Sequence, residues 1–480
     1  MLAVDREANA FLYQQVVDFI NDRLEAGTLG PGDKLPSLRK LAGQLNISIP
    51  TVKQAYIELE RQGKVSARPQ SGFYVRPNLC KRLQMARKLE GQFKPETVVC
   101  RDLIESVYEG AHTQGIIPLG LSNPVLARPA AKALNRALRR VMARAADRAA
   151  DYGPIRGYPE LRRQLAYRYL EQGLEVDSDE IIVTNGAQEA ISLALKTVAG
   201  PGDVIAVETP SFFGVLEMIE SLGMLALEIP TCTEEGVCLD ALRKAVANHP
   251  VKACLFSPGI HNPTGASMPD SKCAEMVAFL EDHDIPLITD DVYSELFFET
   301  PLPKPAQAWS RKGLVLTASS FSKTAAPGYR VGWLVPGIFH GKAYRLKRAL
   351  SASSPLLPQL ALTEFIRTGE YDNQVRRLRK ELAANMVAMS FAIAESFPEG
   401  TYSSQPCGGS VLWIELPERV DSIALYYRAM SEGIGLAPGS IFSPGGRHPN
   451  FIRLSFGQVW SPKIANAVKR LGELARQAAE

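Results

Sequence analysis

The stretch Ser319–Trp333, SSFSKTAAPGYRVGW, places a hydroxyl-rich turn, a single lysine (Lys323) and then Arg330 in one loop. A lysine beside an arginine and near hydroxyl or carboxyl groups is readily deprotonated, and a neutral amine condenses with an aldehyde to a Schiff base. Serine hydroxyls and a guanidinium in the same loop can hold a phosphate. The loop therefore suits a molecule that carries both an aldehyde and a phosphate, and a solvated loop lysine is the plain alternative for so short a motif.

Four further segments extend the pattern in chain order. In VTNGAQEAI an apolar strand, Ile181 to Val183, runs into Asn185-Gly186 and a helix opening at Ala187 and Gln188, whose free N–H groups face an anion. In SPGIHNPTG, Asn262 sits on a turn after the apolar strand Ala253 to Phe256. In PLITDDVYSEL, Asp290 ends a buried strand and Tyr293 follows three residues later, and in FIRLSF an arginine, Arg453, lies inside an apolar run. Taken singly, an Asp at a strand end is commonly a cap and an Arg commonly a surface ion pair.

Together, SFSK followed by PGYR and these four segments resemble the fold type I aminotransferases, whose cofactor is pyridoxal 5′-phosphate. The resemblance implies that Lys323 forms the Schiff base, that Asp290 sits under the pyridine nitrogen and keeps it protonated, and that Asn262 and Tyr293 meet the phenolic oxygen. It implies a phosphate cup of Gly186, Ala187, Gln188, Ser320, Ser322 and Arg330, and a stacking ring at Phe212 in TPSFFG. Arg453 would clamp a substrate α-carboxylate with its bidentate fork. Tyr152, in DYGPIRGYPELR, matches a position from which the family lends a phosphate contact across a dimer interface.

Composition agrees without being decisive. A chain of 480 residues, 46% hydrophobic and 22% charged, has the size of two or three domains and an ordinary globular balance. A net charge of +3 and a pI near 8.4 permit nucleic-acid binding without indicating it. No apolar run approaches a membrane span, and MLAVDREANAFLYQQ has acids and no signal-peptide core, so a cytoplasmic, non-membrane protein is expected. Seven cysteines, at 80, 100, 232, 238, 254, 273 and 407, show neither a CxxC pair nor zinc spacing, which points to free thiols and no metal.

The first hundred residues have an organisation of their own. Leu12, Val16, Phe19, Ile20 and Leu24 recur at helical spacing until Gly27, Gly30, Pro31 and Gly32 end the run. Ser37 can cap a second helix from Leu38 to Leu45, and Ser48, with Pro50 close behind, opens a third running to about Gln62. Val52, Ala55, Tyr56 and Leu59 share one side of it. KVSAR and GFYVRP then alternate like a hairpin turning through Pro69–Gly72.

Three helices and a hairpin in this order form a winged helix-turn-helix, and residues 11 to 76 resemble the GntR family of bacterial regulators. The third helix, carrying Ser48, Thr51, Lys53 and Gln54, is expected to enter a major groove of double-stranded DNA, while Arg39, Lys53, Arg68 and the wing at Gln70 and Ser71 hold phosphates. One departure stands out: Ile49 occupies a place where the family pattern has arginine. Residues 77–97, polar and basic, read as a linker. Beyond them, strands near Ile181, Val204, Ala253, Pro286, Leu314 and Val331 interleave with helices as a mostly parallel sheet, and about 98–150 with 343–480 are expected to build a smaller domain.

A GntR-type reader joined to an aminotransferase-like body is similar to the MocR subfamily. The overall expectation is an α/β protein: residues 1–76 a winged helix-turn-helix, 77–97 a linker, and 98–480 a fold type I body with large and small domains. The resemblance implies a regulator that binds pyridoxal 5′-phosphate, senses an amine, an amino acid or the cofactor, and forms a head-to-tail homodimer. A working aminotransferase with an autoregulatory DNA-binding module is the alternative. Operator, effector and sign of regulation are not written in these residues.

Overall fold

The structure, a computed structural model, describes residues 11–25, 28–29, 33–61, 64–68, 72–75, 94–97, 101–122 and 128–480. It divides into two compact units, one built on the N-terminal 84 residues and one on most of the remainder.

In the N-terminal unit, α1 (Leu12–Glu25), α2 (Leu38–Leu45) and α3 (Ile49–Arg61) precede an antiparallel pair, β1 (Val65–Arg68) and β2 (Gly72–Val75). Ser37 and Ser48 cap as expected, Ser37 Oγ accepting from Lys40 N and Ser48 Oγ from Thr51 N, both at 3.2 Å; Asn46, a cap not anticipated from the sequence, closes α2 in the left-handed region at φ 51. Val16, Val17, Ile20, Leu41, Val52, Ala55, Tyr56, Leu59, Val65 and Val75 form one buried core. Tyr56 is anchored within it by its hydroxyl, which donates to Pro36 O at 2.9 Å. Truncating a core residue such as Leu59 to alanine would cost about 2–5 kcal/mol, a large share of what so small a unit holds. The hairpin gains a third partner, since Leu35 N donates to Phe73 O and Val75 N to Asp33 O, both at 2.8 Å. The wing residues Gln70 and Ser71 lie outside the described residues.

The body opens with a helix Arg101–His112 and a short strand, β3 (Ile117–Pro118). Its large sheet comprises β4 (Ile182–Thr184), β5 (Val204–Thr209), β6 (Leu225–Cys232), β7 (Gly236–Val237), β8 (Val251–Phe256), β9 (Leu287–Asp290), β10 (Val315–Ser320) and β11 (Gly332–Val335), in the order 4-11-10-9-8-5-6-7. The run β10, β9, β8, β5, β6 is parallel, and β11 is antiparallel to both its neighbours. Successive residues of β5 serve opposite faces. Ile205 and Val207 pack with Ile191, Leu195 and Leu216 on one side, and Val204 and Ala206 with Cys254, Phe256 and Val315 on the other. Both faces are therefore covered, and the loops at the carboxyl ends of the parallel strands are left to carry function.

A second sheet, β12 (Tyr402–Ser403), β13 (Val411–Glu415), β15 (Ala437–Pro438) and β16 (Phe451–Ser455), is antiparallel, while β14 (Ile434–Gly435) pairs in parallel with β3. The expected smaller domain needs correction here. The helix Arg128–Ala150 turns Ala130, Leu134 and Ala137 into a core shared with Ile181, Val183, Phe321 and Phe365, so it covers the large sheet together with the helix Leu356–Arg367. Glu96, inside the stretch expected as a linker, exchanges backbone hydrogen bonds with Ala226 of β6 and an ion pair with Arg447 at 3.0 Å.

Candidate functional site

Four parallel strands deliver their carboxyl ends to one place. Lys323 follows β10, and its Nζ donates to Ser122 O at 3.1 Å while lying 5.5 Å from the centre of the Tyr293 ring. Tyr293, three residues past β9, donates its hydroxyl to the same carbonyl at 3.0 Å, and Ser410 Oγ reaches it at 3.4 Å. Asp290 ends β9 and accepts from Val292 N at 3.3 Å. Burial pushes its carboxyl up to about 6, against the opposing pull of the Val292 N–H and the Lys323 charge.

Behind Asp290 sits a second carboxyl. Glu208 on β5 is buried and accepts from Ser257 N at 2.8 Å, yet its Oε1 has no hydrogen-bond partner among the described residues. Burial lifts it to about 8, with Asp290 adding to the rise. His261 Nε2 lies 3.4 Å from Glu208 Oε2, and burial drives that imidazole down to about 3. Both partners move toward neutrality, so the contact is one between an acid and an uncharged ring, not an ion pair. Asp291 is pushed up to about 7, first by burial, while its Ser294 hydrogen bond pulls the other way.

The opposite end of the site is backbone. Gly186, at φ 84, caps the helix Ala187–Val198, and Arg330 Nη2 donates to Asn185 O at 3.0 Å. A Cβ at Gly186 would come within 2.6 Å of Arg330 Nη2, and one at Gly332 within 2.5 Å of Gly186 C and 2.7 Å of Ser319 O. Only glycine permits this approach. Ser320 Oγ accepts from Ser322 N at 3.3 Å in the same turn. Phe212 is half-buried at the start of the helix Phe213–Ser221, its ring lying where a Cβ on Gly214 would be, 2.7 Å away.

Arg453 comes from the other sheet. It is fully buried on β16 and donates from Nη1 to Asn262 Oδ1 at 2.9 Å and from Nη2 to Gly120 O at 2.6 Å. Its guanidinium lies 4.9 Å from the Phe442 ring and 5.5 Å from that of Phe213, and Nε has no hydrogen-bond partner among the described residues. Burial lowers it to about 10, which leaves it charged at neutral pH. Tyr152 is 95% exposed.

In the N-terminal unit, Lys53 and Gln54 are exposed on α3 and Arg39 on α2, while the Ser48 and Thr51 hydroxyls meet at 2.7 Å. Arg68 ends β1.

Known proteins match both units. Residues 12–75 match the family described as bacterial regulatory proteins, gntR family, and residues 115–471 match aminotransferase class I and II. The uncharacterized HTH-type transcriptional regulator YjiR of Escherichia coli K12 is 35% identical over 98% of this chain and 99% of its own. The chain belongs to the MocR subfamily of GntR regulators.

Other MocR-like and aminotransferase relatives fall in line. The HTH-type transcriptional regulator NorG of Staphylococcus aureus is 27% identical over 91% of this MocR chain and 98% of its own. The crystal structure of Pyrococcus horikoshii kynurenine aminotransferase in complex with PMP superposes with a TM-score of 0.72 at 27% identity, over 78% of this chain and 95% of that one. The α-aminoadipate aminotransferase LysN of Thermus thermophilus also gives 0.72, at 25% identity over 84% and 97%. Several participants in the MocR body carry no motif: the Gly120 and Ser122 carbonyls, Glu208, and Lys347, which is fully buried and bonded to Glu189 at 3.0 Å and Ser354 at 3.0 Å. His261 lies within the SPGIHNPTG signal, and Phe442 ends the short helical turn Gly439–Phe442. Among the described residues, no helix is long and apolar enough to cross a membrane, and no group of His, Cys, Asp and Glu is placed to hold a metal ion.

Proposed function

We propose that this chain is a DNA-binding transcriptional regulator whose body holds pyridoxal 5′-phosphate and responds to an amine, an amino acid or the cofactor itself. The observation that carries this reading is the union, in one chain, of the gntR module at 12–75 with the aminotransferase body at 115–471. The N-terminal module binds DNA, with residues 1–76 as reader and 98–480 as sensor, and Glu96, near the end of the intervening stretch 77–97, already belongs to the body through its bonds to β6.

The residues present suit the cofactor. A lysine amine faces a desolvated carboxyl across the site, and a glycine-lined helix start lies against an arginine, which supports a phosphate seat. When bound, the cofactor supplies an electron sink beside the α-carbon of an amine. Asp290 would hold the proton of the ring nitrogen, Asn262 and Tyr293 would orient the phenolic oxygen, and Phe212 would cover one face of the ring. Gly186, Ala187, Gln188, Ser320, Ser322 and Arg330 would seat the phosphate, Lys323 would supply the amine, and Arg453 would take an effector carboxylate. The exposure of Tyr152 supports its reaching the phosphate seat of a second copy in a head-to-tail homodimer working in the cytoplasm.

A visible absorption spectrum of the purified full-length protein tests the reading. An absorption band is expected that survives dialysis and is lost in Lys323→Ala, whose fold remains intact by circular dichroism. A band retained by the variant overturns the assignment. An amine that shifts the band without being consumed marks a sensor, and repeated turnover of an amino donor to its keto product in the presence of a keto-acid acceptor marks a transaminase.

A further inference from the structure

The recognition helix α3 begins with an apolar side chain that its own fold does not need. Ile49 is 43% exposed, whereas Val52, Ala55, Tyr56 and Leu59 on the opposite side are fully buried and complete the core. Exposed and outside the core cluster, an isoleucine at the first helical position gains little within the free module. Its helix propensity is below that of lysine or glutamate, and the first turn, which lacks any acidic residue, leaves the positive end of the helix dipole uncompensated. The neighbouring polar groups are already committed, because the Ser48 hydroxyl caps Thr51 N and meets the Thr51 hydroxyl at 2.7 Å. One turn on, Lys53 and Gln54 are exposed, and Arg39 and Lys40 of α2 are exposed too. The start of α3 is thus a methyl-bearing tip in a basic setting.

In a helix-turn-helix the N-terminal residues of the second helix reach the base edges in the major groove while basic neighbours hold phosphates. An isoleucine offers no donor or acceptor, so it cannot read guanine, cytosine or adenine by hydrogen bonding. The one apolar feature in that groove is the C5-methyl of thymine. Resting on the DNA-binding reading above, we propose that Ile49 is a specificity-determining residue that recognises the C5-methyl group of a thymine in each half-site.

The test starts from duplexes enriched by the full-length protein from a random library. Each thymine of the enriched half-site is replaced in turn by deoxyuridine, which keeps the pairing edge and removes only the methyl. At one thymine per half-site the wild type is expected to lose about fourfold in affinity, the value of burying one methyl group. Ile49→Ala should bind the thymine and deoxyuridine duplexes equally, whereas Lys53→Ala should keep the fourfold gap. Because Ile49 is exposed, the alanine variant should melt with the wild type. A half-site without a methyl-sensitive thymine, or an Ile49→Ala protein that keeps the full penalty, overturns the inference and leaves DNA binding standing. Failure to bind or enrich any duplex would instead remove the DNA-binding reading and this inference with it.

Discussion

Arg453 donates to Oδ1 of Asn262 at 2.9 Å, which joins the second sheet to the loop after β8. The arginine is already pre-set by that amide, by the Gly120 carbonyl and by two aromatic faces, so a carboxylate meets a fixed guanidinium. Arg453→Lys keeps charge but loses the fork. It is expected to weaken an amino acid at least about tenfold while leaving the matching amine without a carboxylate within about twofold. Spectral titration with such a pair of ligands measures both.

Gly332→Ala tests the closeness of backbone at the phosphate seat. The new Cβ would meet Gly186 C, Ser319 O and Ala187 N, all within 2.8 Å and all backbone. Since none of these can swing aside, the variant is expected to lose about 1–3 kcal/mol of stability and at least about tenfold in cofactor affinity. Melting of the cofactor-free protein and equilibrium dialysis with pyridoxal 5′-phosphate give the two numbers. Wild-type values for both would contradict the crowding argument.

Glu208 makes a pH prediction. Its carboxyl is lifted by burial from its ordinary value to about 8, so the native state holds a proton that the unfolded chain releases at lower pH. Stability from this group is complete below the unfolded value near 4.5 and is lost as pH rises through about 8. Glu208→Gln keeps the shape and an acceptor for Ser257 N while removing the titration. Relative to wild type, its melting temperature is therefore expected to climb as pH goes from about 4.5 to 8, by about 2 °C or more. Calorimetry on the cofactor-free proteins checks this, and a flat difference would mean Glu208 ionises freely.

Arg136, Arg140, Arg144 and Arg148 recur every four residues along the helix Arg128–Ala150, a spacing that suits one helix face, and this basic stripe is expected to be structural. Arg136 pairs with Glu370 at 2.6 Å and Arg140 with Glu364 at 3.3 Å, so two of its charges already have partners. Replacing Arg140 and Arg144 together with glutamine should leave the salt dependence of DNA binding unchanged, whereas Lys53→Ala should reduce the slope by about one. Binding measured over a series of salt concentrations distinguishes the two.

The parts readable in the sequence were those in which a local signal coincided with the local structure. Ser37 and Ser48 mark helix starts in the N-terminal unit because capping is settled within a few residues. In the body, Lys323, Tyr293, Asn262 and Arg453 come together in space from motifs read one at a time. Strand β6 went unread because Glu228 interrupts LALEIPTC, and what makes that carboxyl tolerable lies far along the chain: the Thr209 hydroxyl at 2.7 Å and Arg447 at 2.8 Å. The contribution of Gly120 and Ser122 is made by carbonyl oxygens, which every residue owns, so no side-chain pattern could announce it. The helix Arg128–Ala150 lies in a different layer from the one its sequence suggests, since an alanine-rich face implies close packing without naming the partner.

The carbonyl of Ser122, shared by Lys323 and Tyr293, lies in a segment that also meets Arg453 through Gly120. Three stretches each more than about a hundred residues from the next are thereby drawn to a common point: the start of the body, the rim of the large sheet and the C-terminal sheet. A small molecule seated among them would act as a cross-link, tying the lobes as a bolt ties plates, and would stiffen the body whether or not any bond in it were broken. For a sensor, such clamping is a sufficient output.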